Sequence, residues 1–287
     1  MIFRHHSLKS SPIATAGLTV GILAATAATA WANPQIAPHR AVYNLELSDV
    51  SDGSALTALQ GRLVVEILGS QCEGWSLNTR YVFRTEGEGG YSVLSDVRAA
   101  QWEDADGSTF RFVSRRYDNE RLSEVTDGTA SRADNGIEVA LDEPAEATFE
   151  IDGSVLFPTQ HLRRVLEAAG MGQPIVSARI YDGSDEGDQV YSTLTVIGGD
   201  VAASTSDPDA PGGDVLSDLD AWRVTVSYFE ESYTPSDDDS GEQMPVYTIA
   251  YDLFANGVSR TLDLDYGDFK LAGDLQSIEF LEESACE

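Results

Sequence analysis

The chain has 287 residues, of which 48 are acidic and 18 basic, so its formal net charge at pH 7 is −30. This charge disfavours nucleic acid and anionic membrane surfaces as partners, because both are bound by basic surfaces. Apolar residues make up 42% of the chain, a proportion typical of globular rather than disordered proteins. The length is sufficient for one large β-domain or two small ones.

The N-terminus has the features of a secretory signal peptide, predicted at residues 1–32. A basic stretch with Arg4 and Lys9 precedes an apolar run rich in alanine, and the small residues Ala30 and Ala32 flank a cleavage site. The apolar run is short and weakly hydrophobic for a membrane span, which makes an uncleaved anchor the alternative. We predict cleavage near Ala32 and export of the remaining chain.

Before residue 144, apolar residues alternate with polar ones between turn residues, a pattern that predicts antiparallel strands. Seven strands are predicted here, at Arg40–Ser48, Gly61–Leu68, Trp75–Phe83, Tyr91–Glu103, Thr109–Tyr117, Glu120–Val125 and Ile137–Leu141. Residues 127–136 are interpreted as a turn region. Within them, Asn135-Gly136 favours a hairpin, because both central residues of a type I′ turn need positive φ.

A single amphipathic helix of about three turns is predicted next. Thr159 is its predicted N-cap, Gly170 has the position of a C-terminal glycine, and Pro174 prevents continuation. Apolar residues follow at spacings of three and four, namely Leu162, Val165, Leu166 and Ala169. We expect this helix to cover one open side of a sheet.

Strands resume after the helix. They are predicted as two strands within Val176–Ile197, then Ala221–Phe229, Val246–Phe254, Val258–Tyr266 and Asp274–Ser284. Residues 198–220 are interpreted as a long surface loop rather than a domain boundary. The sequence therefore predicts an all-β fold, a single domain over residues 33–287, with about 14 strands in a large curled antiparallel sheet and one helix. The apolar interior of such a sheet is a natural ligand site.

The two cysteines, Cys72 and Cys286, allow a single disulfide pairing. Export to an oxidising compartment would make that bond stable. It would attach the C-terminal segment to an early strand, and a curled sheet would bring these two elements together. The alternative is two unrelated thiols, but an exported free thiol is reactive and a nearly terminal cysteine is difficult to bury.

No catalytic or metal-binding constellation stands out. Outside the predicted signal peptide the chain has two histidines, His39 and His161, which are interpreted as surface or packing residues rather than ligands. Acidic residues are so numerous that no particular carboxylate pair is informative. Two acidic turns, DADGS and DGSDEGD, are interpreted as hairpin turns rather than calcium loops. We predict no catalytic residues, no metal and no cofactor.

Two basic pairs and a set of aromatic residues remain. Arg115-Arg116 and Arg163-Arg164 are interpreted as solvated or paired with acids, with docking of an anionic headgroup or peptide as the alternative. The aromatic residues have strand periodicity and are assigned to the core, although some would line a lipid or peptide cavity. They are Tyr43, Trp75, Tyr81, Phe83, Phe110, Phe112, Trp222, Tyr228, Tyr247, Tyr251 and Phe254.

Several motifs in a fixed order carry a resemblance to a known family. They are PHRAVYNLEL, GSQCEGWSLNTRYVF, SVLFPTQHL, IYDGSDEGDQVYSTLTVIG and NGVSRTLDLDYGDFKLAGDL, followed by the terminal cysteine. From about His39 to Cys286, the chain resembles the periplasmic envelope-integrity protein B (EipB) family of alpha-proteobacteria. The loops near Ala202–Asp220 and Pro235–Gln243 look particular to this sequence.

The resemblance implies a β-spiral, or open barrel, around a helix, a periplasmic location and a disulfide between Cys72 and Cys286. It also implies a role in maintaining the cell envelope under stress, and it supplies no catalytic residue or cofactor. We therefore predict a non-enzymatic periplasmic protein that binds a lipid, a lipopeptide or an envelope protein and is not an integral membrane protein after cleavage. A purely structural or protein-docking module is the alternative, and a hydrolase of envelope polymers is a third, less favoured one.

Overall fold

A computed structural model describes residues 35–201, 208–231 and 243–286. The predicted signal peptide and parts of the loops near Ala202–Asp220 and Pro235–Gln243 lie outside these residues. Cleavage near Ala32 therefore stays a prediction.

The described residues form fourteen strands, one three-turn α-helix, one single-turn α-helix and a short 3-10 helix at Glu88–Gly90. The strands are β1 (His39–Val50), β2 (Leu56–Ser70), β3 (Gly74–Gly87), β4 (Tyr91–Glu103), β5 (Thr109–Asp118), β6 (Arg121–Ala133), β7 (Gly136–Glu143), β8 (Ala147–Asp152), β9 (Ile175–Ile180), β10 (Tyr191–Asp200), β11 (Ala221–Glu230), β12 (Tyr247–Phe254), β13 (Ser259–Asp265) and β14 (Phe269–Phe280). The helices are α1 (Pro158–Gly170) and α2 (Gly213–Leu216).

All fourteen strands belong to one sheet, in the order β8 to β1 followed by β14 to β9. Neighbouring strands are antiparallel throughout, so two meanders are joined where β1 pairs with β14. The all-β fold class, the approximate strand number and the amphipathic helix are confirmed. The sheet is not closed into a barrel, and its two edges are β8 and β9.

The segment between β8 and α1 connects the two edges. The Leu156 N–H donates to the Arg179 carbonyl oxygen at 2.8 Å, and the Tyr181 N–H donates to the Leu156 carbonyl oxygen at 3.0 Å. This is a single parallel bridge rather than a ladder. The curl of the sheet is thus completed by a short connecting segment, which leaves most of β9 without a strand on its outer side.

One predicted strand boundary in the first half of the chain was wrong, and one strand was missed. β6 runs to Ala133, through the predicted turn region, with a register shift at Asp127/Gly128. Gly128 is required there because a Cβ atom would lie 2.7 Å from the Phe112 ring, so this glycine serves close packing and not a turn. A hairpin does join β6 to β7, but its central residues are Asp134 and Asn135, because Ala133 pairs with Gly136. Neither central residue has the positive φ of a type I′ turn, so the predicted turn type was wrong. β8 was missed because charged residues obscure its alternation.

The predicted N-cap was also wrong. α1 begins at Pro158 with Phe157 as N-cap, which places Thr159 inside the first turn. The Glu103 carboxylate, at the end of β4, accepts hydrogen bonds from the N–H groups of Thr159 at 2.9 Å and Gln160 at 3.0 Å. A side chain distant in sequence thus satisfies N–H groups that a local cap would otherwise serve.

Arg132 of β6 strengthens the same junction. Its guanidinium donates to Gln160 Oε1 at 2.7 Å and to the Val155 carbonyl oxygen at 2.6 Å, and it lies 4.4 Å from the centre of the Phe157 ring. The start of α1 is therefore held by side chains from two strands of the first meander.

The core is divided among several clusters of buried side chains. The apolar face of α1 packs on β9–β12 through Val165, Leu166, Ala168 and Ala169. A second cluster between the two edges contains the stacked rings of Phe110 and Phe157, whose centres are 5.0 Å apart. A third surrounds β1 and β14. The helix covers an open side of the sheet, as its pattern indicates.

The two cysteines lie side by side in the structure. Cys72 is in the turn between β2 and β3, where Ser70 Oγ accepts its N–H, and Cys286 lies six residues beyond β14. Their Cα atoms are 5.5 Å apart, within the range that a disulfide spans. Because β14 pairs with β1 and β1 with β2, this proximity reflects strand order. The short distance between the cysteines is therefore not evidence that the sheet curls, and inferring the curl from the cysteine pair was wrong.

A disulfide between these residues stays a prediction, and we propose the following test. Cys72→Ser should lower the melting temperature under oxidising conditions, because the bond would close a loop with a sequence separation of 214 residues. The chain-entropy ceiling for such a loop is about 5 kcal/mol. Reductant should destabilise the wild type and leave the variant unchanged. Equal melting temperatures without reductant would show that the bond contributes nothing.

Glu103 should make stability depend on pH. Burial raises its pKa from 4.5 to about 7, although the N–H groups of Thr159 and Gln160 and the Arg132 guanidinium favour the charged form. Because the folded state holds the proton more tightly, the stability that this group contributes is complete below pH 4.5 and decreases as pH rises towards 7.

Glu103→Gln mimics the protonated carboxyl. Between pH 4.5 and pH 7 its free energy of unfolding should rise relative to that of the wild type. The gain is at most about 3 kcal/mol, measured by urea denaturation. The matched control is Glu150→Gln on β8, where the carboxylate is exposed. A constant difference between E103Q and wild type across this range would contradict the prediction.

Candidate functional site: a tyrosine-lined chamber beside helix α1

A chamber of about 390 Å³ lies beside the first two turns of α1. The helix contributes Pro158, Thr159, His161 and Leu162 to its wall. Strands of both meanders provide most of the rest, so the chamber exists only because the sheet curls. Its remaining apolar wall consists of Ile36, Ile67, Leu77, Ile180 and Ile249.

Four tyrosines line the chamber, and all four belong to the aromatic residues singled out in the sequence: Tyr81, Tyr228, Tyr247 and Tyr251. Tyr228 and Tyr247 are opposite one another on β11 and β12, and their rings stack with centres 4.3 Å apart. Tyr191, on β10, meets both rings edge-on. Cross-strand register therefore creates this aromatic wall.

The tyrosine hydroxyls are available as hydrogen-bond donors. Burial raises the pKa of Tyr81, Tyr228 and Tyr247 well above the ordinary value, and that of Tyr251 to about 12. All four therefore remain protonated at neutral pH. Among the described residues, none accepts or donates a hydrogen bond at these hydroxyls. The chamber thus presents phenol O–H groups in an apolar wall.

The polar residues of the chamber include His161 and Asp182. His161 Nε2 lies 3.3 Å from Thr195 Oγ1, and burial lowers the His161 pKa to about 4, so the ring is neutral at pH 7. Burial raises the pKa of Asp182, whose Oδ1 accepts the Ser184 N–H at 3.0 Å. Gln101 Nε2 donates to the Asp182 carbonyl oxygen at 2.9 Å.

Neither histidine lies in a metal-like cluster. His39 is buried at the start of β1, with Nδ1 2.7 Å from the Ala37 carbonyl oxygen, and burial lowers its pKa. Within residues 35–201, 208–231 and 243–286, no group of three or more His, Cys, Asp and Glu side chains is arranged to hold a metal ion. The chamber offers apolar contact and hydrogen-bond donors, the usual composition of a small-molecule binding site.

The two arginine pairs differ in their surroundings. Arg116 lies 3.3 Å from Asp118 and 3.7 Å from Glu124, and Arg115 lies 4.0 Å from Asp127. By contrast, neither Arg163 nor Arg164 forms an ion pair with a described residue. They line a groove on another side of α1 from the chamber.

Sequence reasoning missed part of the chamber. Asp182 belongs to an acidic turn that resembles any hairpin, and Gln101 has no distinctive spacing. Only their position across the curled sheet makes them neighbours of the tyrosines. The turn at DGSDEGD did provide a signal, since it contains Asp182 and joins β9 to β10 as predicted.

An open antiparallel sheet curled around one helix, with a small chamber at that helix, defines a barrel-like β-protein. A model of the EipB-like family matches residues 30–282. The chain belongs to this family. It is 33% identical over 271 residues, 94% of each chain, to the cell envelope integrity protein EipB of Brucella abortus (strain 2308).

A solved structure agrees with this assignment. The chain is similar to a beta-barrel-like protein of a domain of unknown function from Brucella abortus, with a TM-score of 0.79 and 32% identity. The match covers 86% of this chain and 99% of that one. The name of the 33% identical relative supports a role in cell envelope integrity. In the part of the chain that the structure describes, no helix is long and apolar enough to cross a membrane.

A pair of tyrosine variants tests the free hydroxyls. Tyr181→Phe removes a buried hydrogen bond of 2.6 Å to the Gly187 carbonyl oxygen, which should cost about 1–2 kcal/mol. Tyr247→Phe removes a hydroxyl with no described partner, which should change stability by less than about 0.5 kcal/mol. Urea denaturation compares the two. A loss as large for Tyr247→Phe as for Tyr181→Phe would contradict this account of the chamber.

Proposed function

We propose that this protein is exported to the periplasm and maintains the cell envelope by binding a lipid or lipopeptide in the tyrosine-lined chamber. The predicted signal peptide, the family and the envelope-integrity relative support the location and the general role. The chamber supports the binding step. The role is not enzymatic in this proposal.

The observation that carries the binding step is the combination of apolar walls with four protonated tyrosine hydroxyls. An acyl chain would contact Ile67, Leu77 and Ile249 and gain about 25 cal/mol for each Å² of apolar surface removed from water. An ester or amide carbonyl would accept a tyrosine O–H. A ligand with both an apolar chain and a carbonyl group therefore satisfies both parts of the wall.

The volume limits what enters. About 390 Å³ is near the lower end of the range for small-molecule pockets, because the protein's own aromatic rings occupy part of the interior. The chamber therefore suits one acyl chain rather than a whole diacyl lipid. The rest of a larger ligand would remain outside.

Native mass spectrometry with lipid extraction, on protein purified gently from the periplasm, tests the proposal. We expect a reproducible bound lipid or lipopeptide. Leu77→Trp should reduce its occupancy, because the larger side chain fills the chamber. Leu194→Trp is the matched control, since Leu194 lies on β10 and is 40% exposed. A fluorescent fatty acid titrated into all three proteins provides a second measurement.

Two results would contradict the binding step. One is a clean mass without ligand together with no fatty-acid binding. The other is equal binding by Leu77→Trp and wild type. Either would favour the alternative of a protein-docking module, for which the groove at Arg163 and Arg164 is the relevant surface.

A further inference from the structure

A groove of about 620 Å³ lies between α1 and the edge strand β9, apart from the chamber. The segment after β8 contributes Ser154 and Leu156, and β9 contributes Ser177 and Arg179. Gln160, Arg163, Arg164 and Glu167 line the helical side, which therefore carries two cations and one carboxylate. One wall of the groove is thus a strand edge and another carries two arginines.

The backbone of β9 has unpaired groups on the groove side. The backbone N–H and C=O groups of the even-numbered residues of β9 point towards β10. The same parity holds just before the strand, where the Ile197 N–H of β10 donates to the Pro174 carbonyl oxygen. Odd-numbered residues face outwards, where Leu156 uses Arg179 and Tyr181. By the alternation of a strand, the N–H and C=O groups of Ser177 and Ile175 point the same way. No described residue bonds to them there.

The two edges of the sheet differ in how well they are protected against pairing with a further strand. β8 carries Glu150 and Asp152 and follows the acidic stretch around Pro144, which is how proteins usually discourage strand addition. β9 reads IVSARI, and its one charged residue, Arg179, is already paired with Glu231 at 2.6 Å. β9 is therefore the edge that remains open to another strand.

Apolar side chains are exposed on the outer face beside this edge. Ile175 is 58% exposed, and Val196, directly opposite it on β10, is 45% exposed. Leu194, at 40%, lies two residues before Val196 on β10 and is diagonal to Ile175. A strand added to β9 would place alternate side chains next to Ile175 and extend this patch.

The other face of an added strand would meet the arginines. α1 packs on the inner face of β9, through contacts with Val176, so Arg163 and Arg164 lie on that side. Neither arginine has an ion-pair partner among the described residues, and the Nε atom of Arg163 is buried without a hydrogen-bond acceptor. On a chain of net charge −30, these cations would favour acidic side chains locally.

We propose that β9 binds an extended segment of a partner protein as an additional strand. In this segment, apolar residues would lie beside Ile175, at the margin of the patch that continues to Val196 on β10, and the acidic residues alternating with them would face Arg163 and Arg164. Backbone hydrogen bonds to Ser177 would provide affinity, and the two faces would provide specificity. The proposal does not depend on a ligand in the chamber.

An anionic lipid headgroup is the competing occupant. It would use the arginines, but it has no alternating N–H and C=O groups to satisfy the edge of β9, and it leaves Ile175 and Val196 uncovered. The strand edge and the apolar patch together therefore favour a peptide.

Selection from a phage-displayed random octapeptide library on the purified protein tests the proposal. We expect enriched peptides with alternating apolar and acidic residues. Fluorescence anisotropy then measures one enriched peptide on three proteins. Arg163→Glu with Arg164→Glu should weaken binding about tenfold or more. Arg62→Glu with Arg84→Glu, the same charge change at exposed positions on β2 and β3, should not.

Methylating alternate backbone amides of the same peptide tests strand addition itself. One of the two alternating sets should abolish binding, because only one set faces β9, and the other set should be tolerated. Failure to enrich any peptide, or equal tolerance of both sets, would overturn the proposal. So would arginine-dependent binding of phosphatidylglycerol vesicles in place of the peptide, which would assign the groove to a headgroup.

Discussion

The ladder between β1 and β14 is the constraint on which the rest of the structure depends. It pairs residues more than 200 positions apart, from His39 with Phe280 to Val50 with Phe269. Without it the chain would form two separate meanders, each with two free edges. With it, one sheet is long enough to curl, and β8 and β9 become edges that approach each other beside α1. The closely placed cysteines lie at this same junction.

Curling creates an interior that one helix fills incompletely. The apolar face of α1 packs against the second meander, whereas its first turn is held by Glu103 and Arg132 from the first. The helix therefore connects both halves. Beside the first turns of α1 the helix and the strands do not pack closely, and the chamber lined by the tyrosines lies in the remaining space. The same arrangement that orients α1 thus leaves space for a ligand.

An incompletely closed sheet also has a cost, since each edge exposes backbone groups that would pair with another chain. The structure treats its two edges differently. β8 is charged and the segment after it bridges β9 only at Leu156. Most of β9 remains uncovered, beside the two arginines without ion-pair partners among the described residues. The interior chamber and the outer groove are therefore separate consequences of the same open geometry.

Much of this protein was predictable from its sequence. Period-two alternation identified most strands, because each strand with one buried face must alternate. The helical spacing identified α1, and the four chamber tyrosines were among the aromatics noted. The predictions that failed concern residues whose structural role depends on a partner distant in sequence. Gly128 was predicted in a turn, but it lies in β6 and packs against Phe112. Thr159 was predicted as the N-cap, but its N–H is bound by the Glu103 carboxylate inside the first turn.

The sequence by itself determined the fold class, the helix and the family motifs, because these depend on local pattern and residue order. Only the tertiary structure decided the strand order, the separation of the two sheet edges β8 and β9, and the position of Asp182 and Gln101 beside the tyrosines. Only the tertiary structure showed that Arg116 forms ion pairs, whereas Arg163 and Arg164 form none with the described residues. Such relations depend on which faces meet when the sheet curls, and contacts between residues far apart in the chain leave no periodic signal in it.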